Sequence, residues 1–253
     1  MNLDTIKEKI ASDSVKVVSF DIFDTLLCRP CLFPYNLFRV IGNRCGFDGD
    51  FETLRREAEH RARKNRPKGD DDITFDDIYR ELALVIGDEK ASKLKETEIM
   101  VEAEALYPRK PIEELFHYAL SLKKRVIIVS DMYLPTEVLE SILRKNRYDG
   151  FEKLYVSNAY MMSKDTKRLL YKVIDDLAAD GVSAGEILHI GDNPIADVKH
   201  TQECGMQAIH VESGISAMKK SDFFNNLTSE YIEANLLTLG DVANHSFDPF
   251  MKD

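Results

Sequence analysis

The sequence predicts an α/β fold in three layers (α/β/α), a parallel sheet between helices, with an all-helical segment inserted after the first strand. From residue 108 onward, short β-rich apolar runs alternate with amphipathic stretches, the pattern of βαβ units. The strand candidates are Val15–Phe20, Val126–Val129, Leu154–Val156, Ile187–Ile190 and Gln207–Val211. They are nearly continuous in apolar residues, as strands covered on both faces are. Helix candidates lie between them at 111–123, 135–146, 164–178 and 194–204. Between the first two strands, residues 32–106 break the rhythm and hold helical patterns only.

Within that stretch, Phe51, Leu54, Ala58 and Ala62 share one helical face, and Phe75, Ile78, Tyr79, Leu82 and Ile86 share another. Thr74 and Asp77 are spaced as a capping box for the second. Residues 88–106 give a third helix ending before Pro108. The expected division is a core of residues 1–27 and 108–253 with a helical insertion at 28–107. The tail from Ser213 has weak helical character around 229–239 and takes no role from its sequence.

At 253 residues the chain suits one large domain, or a core plus a smaller inserted one. With 44 % hydrophobic and 31 % charged residues it has the composition of a soluble globular protein. A formal charge of -10 argues against nucleic acid and anionic membranes as partners. A small anionic substrate stays open, because a metal ion inverts the local field. No apolar run reaches the roughly 18–20 residues of a membrane span, and the mixed-charge stretch Met1–Ser14 does not resemble a signal peptide. Four cysteines are few, so a cytoplasmic location is expected.

Ligands of open parallel sheets bind beyond the carboxyl ends of the strands, and four polar groups lie there. Asp21, after the first strand, can act as a covalent nucleophile. Ser130 and Asp131, after the second, can hold a phosphate with a hydroxyl and backbone N–H groups, or form an ordinary turn. Lys164, placed at a helix start where a cation is disfavoured by the dipole, calls for an anionic partner, with Lys167 as its rival. The run Gly191-Asp192-Asn193-Pro194-Ile195-Ala196-Asp197 combines a glycine for a tight turn with a proline suited to a first helical turn. Its acids beside Asp21 would form an oxygen-rich magnesium site, although Asp192 or Asn193 can equally be a helix cap. Taken together, a phosphate nearing Asp21 and Asp192 needs a divalent cation and Lys164 to offset the repulsion.

The ordered strings FDIFDTLL, VIIVSD, Lys164 and HIGDNPIAD resemble the four motifs of the haloacid dehalogenase superfamily, over residues 15–27 and 108–211. The resemblance implies a Rossmann-like core with Asp21 as nucleophile. It implies Mg2+ held by the Asp21 carboxylate, the Phe23 backbone carbonyl and Asp192, with Ser130 and Lys164 gripping phosphate. The helical insertion is similar to that family's mobile cap, which selects the substrate. FDIFDTLLCR and SDMYLP resemble a bacterial subgroup of hydrolases sometimes joined to glycosyltransferases.

One position departs from the pattern. Phosphatases of the family carry a second Asp two residues after the nucleophile as general acid and base; here it is Phe23. Dehalogenases have an aromatic residue there, yet they do not require the acidic fourth motif that this chain retains. The reading is therefore a magnesium-dependent hydrolase of a small phosphorylated substrate. Its alternatives are a metal-independent dehalogenase-like hydrolase and a non-catalytic binding protein. Asp24 either takes over proton transfer or is a turn residue. Arg29 either orients an anionic substrate or bridges core and insertion. The lone Cys28/Cys31 pair is weak evidence for zinc and suits two buried thiols. The run Arg55, Arg56, Arg61, Arg63, Lys64, Arg66 and Lys68 is expected on a solvated helix face, and His189 in the core.

Overall fold

The structure, a computed structural model, describes residues 2–251. The polar N-terminus forms helix α1 (Leu3–Ala11), capped by the Asn2 side chain and anchored by Ile6 and Ile10. Strand β1 (Val17–Phe20) follows, then a turn and the short strand β2 (Leu27–Cys28). Helices α2 (Asn36–Cys45), α3 (Phe51–Asn65), α4 (Phe75–Ile86) and α5 (Asp88–Ala105) come next. The chain returns through β3 (Tyr107–Pro108), α6 (Lys110–Ser121), β4 (Arg125–Ser130), α7 (Thr136–Lys145), β5 (Lys153–Val156), α8 (Ser157–Tyr160), α9 (Arg168–Ala178), β6 (Ile187–Gly191) and β7 (Gln207–His210).

Five strands form one parallel sheet in the order β5-β4-β1-β6-β7, flanked by helices on both sides. They are the five strands expected from sequence, with ends shifted by two residues at most. Alternate residues of each strand face opposite layers. Val18, Phe20, Ile128 and Ile190 pack with Phe116 of α6 and Leu139 of α7. On the other face, Val17, Ile127, Val129 and Ile187 pack with Leu169 and Val173 of α9. Phe20 is in register with both Ile128 and Ile190, so Asp21, Ser130 and Gly191 emerge at one edge of the sheet. Strand order reverses at β1, and a crevice opens beyond that edge.

β2 and β3, the entry to and exit from the helical stretch, pair antiparallel and form its stem. Helix α4 starts at the expected capping box, with Thr74 and Asp77 bonded reciprocally. Helix α2 was not anticipated. Its start at Asn36 lacks a side-chain cap, and its signal is Gly46, which closes it in the left-handed conformation at φ 64°.

The basic run corrects the expectation of a solvated face. Arg55 is fully buried and bonds both oxygens of buried Glu98 at 2.8 and 2.7 Å. The Tyr79 hydroxyl donates to the same carboxylate at 2.7 Å, and the rings of Phe38 and Tyr133 lie 4.6 and 5.0 Å from the guanidinium. Arg63 bonds Glu59 and Asp72 at 3.0 and 2.9 Å, while Arg56, Lys64, Arg66 and Lys68 are exposed.

The tail folds back over the stem through short helices, including Gly214–Lys219, Ser229–Ala234 and Leu236–Val242. Gly240 permits this approach, since a Cβ there would sit 2.2–2.3 Å from Cys31 backbone atoms. The Leu32 N–H donates to the Leu236 carbonyl at 2.9 Å, and Asn244 Nδ2 donates to the Arg29 carbonyl at 2.8 Å. Buried Arg109, just after β3, bonds both Asp248 oxygens at 2.6 and 2.8 Å. Cys28 and Cys31 are buried free thiols, and burial pushes Cys31 up to about 12, which leaves it protonated and inert. No helix among the described residues is long and apolar enough to cross a membrane.

Candidate active site

At the carboxyl edge of the sheet, Asp21, Phe23, Asp24, Ser130, Asp131, Lys164, Asp192 and Asp197 line one cleft of about 400 Å³. The nucleophile, metal and phosphate candidates other than Arg29 thus come together, from positions distant in sequence. Asp21 follows β1 directly, its N–H donating to the Ile190 carbonyl at 3.0 Å. Its Oδ1 accepts from Ser130 Oγ at 3.0 Å and from Lys164 Nζ at 2.6 Å. Its Oδ2 takes no hydrogen bond among the described residues. Burial pushes this carboxyl up to about 6; Lys164 opposes the rise and Asp197 adds to it.

Lys164 fills its expected place for a different reason. Helix α9 begins at Arg168, so Lys164 sits in the preceding loop rather than at a helix start. The Asp131 carboxylate fixes that loop by accepting the Lys164 backbone N–H at 2.9 and 3.0 Å, which makes Asp131 a loop anchor. Lys164 Nζ then bridges Asp21 and Asp197, the latter at 2.5 Å. Burial alone would lower this ammonium, but the two carboxylates outweigh it and hold it charged. Lys167 is half-buried, donates to Glu203 at 2.8 Å and takes no part in the cleft.

After β6, Asn193 is the helix cap, accepting from the N–H groups of Ile195 and Ala196 at 2.9 and 3.0 Å. That leaves Asp192 free of capping, with only a 3.5 Å contact from Thr25 Oγ1. Burial, with Asp24 and Asp21 nearby, pushes Asp192 up to about 8. Asp197, expected only as a second acid of a metal site, proves central to holding Lys164. Its oxygens accept from Lys164, from the Asn193 N–H at 2.9 Å, and contact His189 Nε2 at 3.2 Å. Burial opposes its ionisation, yet Lys164 and His189 more than compensate and hold it low. His189 is buried in the core as expected, and with Ser19 Oγ at 2.7 Å from Nδ1 it also steadies Asp197. One oxygen from each of Asp21, Asp192 and Asp197 lies within 4.8 Å of the others.

Gly191 was expected to supply a tight turn; its requirement is space instead. Its φ lies outside the left-handed region, and a Cβ would come within 2.3 Å of the Asp197 carboxyl. Gly191→Ala is expected to push Asp197 off Lys164 and destabilise the fold by about 1–3 kcal/mol, read as a lower urea midpoint.

Asp24 serves the turn and also faces the cleft. It adopts φ 56°, its N–H donates to the Leu27 carbonyl at 2.7 Å, and its carbonyl accepts from Arg109 at 2.9 Å. Burial raises its carboxyl against the pull of Arg29, Arg109 and Lys219. Arg29 does not line the cleft. It lies 4.2 Å over the Phe23 ring and bonds Glu102 of α5 at 3.1 Å, bridging sheet and insertion. The insertion also grips the Lys164 loop: Asp71 accepts from Ser163 N–H at 3.2 Å and Thr166 Oγ1 at 2.5 Å, and Asp72 accepts from Ser157. Yet no residue of 28–107 lines the cleft, whereas Ser216 of the tail does.

Residues 158–236 match a family described as HAD-hydrolase-like. No curated protein sequence matches the chain. Among solved structures it is similar to the HAD-hydrolase YfnB of Bacillus subtilis bound to magnesium, with TM-score 0.54 and 16 % identity over 78 % of this chain and 88 % of that one. It is also similar to the HAD family enzyme bt-2542 of Bacteroides thetaiotaomicron in complex with magnesium and inorganic phosphate (TM-score 0.50, 19 % identity, 79 % and 96 % covered). A third likeness is to the L-2-haloacid dehalogenase RSc1362 (TM-score 0.51, 17 % identity, 78 % and 86 % covered). The fold is that of the haloacid dehalogenase superfamily of hydrolases, and the matched segment carries that family's pattern.

Proposed function

We propose that this hydrolase-fold chain is a magnesium-dependent phosphohydrolase or phosphotransferase that works on a small phosphorylated metabolite through an aspartyl-phosphate at Asp21. The observation that carries the reading is the asymmetric tethering of Asp21. Ser130 and Lys164 hold one carboxylate oxygen, and the other is unbonded in a cleft lined by Lys164 and further acids. Attack of that oxygen on phosphorus forms a P–O bond, and the ester oxygen leaves with its electron pair. Water then hydrolyses the acyl phosphate and regenerates the carboxylate. Ser130 and Lys164, freed to turn toward the phosphoryl oxygens, offset their charge.

The donor set fits a hard divalent cation. Asp192 is raised to about 8 by burial and by neighbouring carboxylates, so negative charge there is under-compensated. The Phe23 carbonyl accepts no hydrogen bond among the described residues. Asp21, Asp192 and the Phe23 carbonyl would hold Mg2+, which when bound neutralises nucleophile and phosphate together. Asp197 already has both oxygens engaged by protein donors, so its part is to anchor Lys164. With Phe23 where a second carboxylate would protonate the leaving group, Asp24 is the remaining acid in that part of the cleft. Good leaving groups, such as acyl and aryl phosphates, need that proton least. Residues 28–107 act as a cap closed onto the Lys164 loop through Asp71 and Asp72.

The test is phosphate release from p-nitrophenyl phosphate and acetyl phosphate with magnesium and with chelator, followed by borohydride trapping. Magnesium-dependent release and reduction of residue 21 to homoserine are expected. Halide release from 2-haloacids that is indifferent to chelator would overturn the reading in favour of a dehalogenase.

A further inference from the structure

The insertion, the segment expected to select the substrate, contributes nothing to the cleft lining, and its arginine closest to the interior is consumed by Glu98. The tail contributes instead. Ser216 lines the cleft on helix Gly214–Lys219, and Lys219 lies three residues further on, on the same helical face. Lys219 is half-buried, rests 4.3 Å over the Phe33 ring, and has no carboxylate within 4.0 Å among the described residues. A partly buried ammonium without an ion-pair partner is costly unless it serves a ligand. Lys219 itself stands just outside the cleft lining, one helical turn from Ser216 and close enough to Asp24 to feel its charge, whereas Lys164 within the cleft is already engaged by Asp21 and Asp197.

Resting on the phosphohydrolase reading, we propose that the tail helix Gly214–Lys219 is the specificity element of the site. Lys219, with Ser216, receives a second anionic group, a carboxylate or phosphate, carried by the leaving portion of the phosphate ester. The helix is held for this purpose from behind. A Cβ on Gly214 would fall 2.3 Å from the Ala243 carbonyl, so the tail packs on itself, and Arg109 pins the segment through the Glu212 carbonyl at 2.6 Å. A substrate entering by its phosphate would present its far end to this helix rather than to the insertion.

A matched set tests the proposal: phenyl phosphate, 4-carboxyphenyl phosphate and benzene-1,4-bisphosphate, assayed with magnesium. The expected result is that the wild-type protein prefers one or both charged esters. Lys219→Ala should cut the ratio of kcat/KM, charged over neutral ester, about tenfold and mainly through KM, and Lys219→Glu should cut it further. Lys220→Ala, which removes only an exposed partner of Glu212, should leave the ratio unchanged. The carboxylate and phosphate arms show which anion is accepted. An equal fall for all three esters in Lys219→Ala would overturn the proposal, since Lys219 then only offsets Asp24. Should the wild-type protein turn over none of them, the phosphohydrolase reading fails separately. Equilibrium binding of the same compounds then decides: lost preference for charged esters in Lys219→Ala upholds the assignment, and equal affinities sink it.

Discussion

Asp21→Asn is expected to lower turnover at least about 10⁴-fold while making the metal-free protein more stable at neutral pH. Asp21 sits where ionisation is disfavoured, its carboxyl raised from 3.8 to about 6 chiefly by burial. For an acid whose folded value exceeds its unfolded one, the folded state is penalised as pH rises. The penalty is absent below about 4, grows between about 4 and 6, and is complete at pH 7. A difference of about 2 units corresponds to about 3 kcal/mol, and asparagine does not carry it. Urea denaturation in chelator should give coincident curves at pH 4 and a more stable variant at pH 7.5. A variant less stable at both pH values would mean that the Lys164 contact outweighs burial. Magnesium should narrow the gap, because the cation favours the charged form that only the wild-type residue can offer.

Arg55→Ala should be among the most destabilising single changes in the chain, by about 3–5 kcal/mol. Removing the guanidinium strands the Glu98 carboxylate, which is fully buried, among aromatic rings. Glu98→Ala should cost a similar amount by stranding the cation. The double change Arg55→Met with Glu98→Leu should cost far less, since an apolar pair replaces both charges with no desolvation penalty. The thermal midpoints of the three variants check this. Near-additive losses in the double variant would show that the contacts with Tyr79 and Tyr133, rather than the ion pair, hold the insertion together.

The same residue shows where the sequence stops being legible. Arg55 sits in a run of basic residues, and composition alone makes such a run a solvated face. Nothing local reveals that Glu98, two helices further on at 43 positions' remove, closes over it. The sheet was legible because most strands announce themselves as short runs of four to six residues rich in β-branched and other apolar side chains, bounded by turn chemistry. The site was legible because its acids and lysine follow those strands. Local residue types identified Lys164, although the helix-start argument for it was wrong; the grip of Asp131 on its backbone N–H is a long-range fact. Asp197 was legible only as one of two acids for a metal site; its anchoring of Lys164 was missed because it depends on a space left by Gly191, and the part of His189 because a buried histidine in a strand looks inert until its neighbours are known. The tail gave no periodic signal, being short helical pieces shaped by what they cover.

Arg109 sets a constraint on the order in which the molecule can be completed. Its guanidinium is walled in by carbonyls of residues 24, 211 and 212 and neutralised by a carboxylate 139 positions downstream. During synthesis the sheet and the helical insertion can assemble while that charge still lacks its counter-ion. The turn that carries Asp24 therefore gains this cross-link only when Asp248 docks against Arg109.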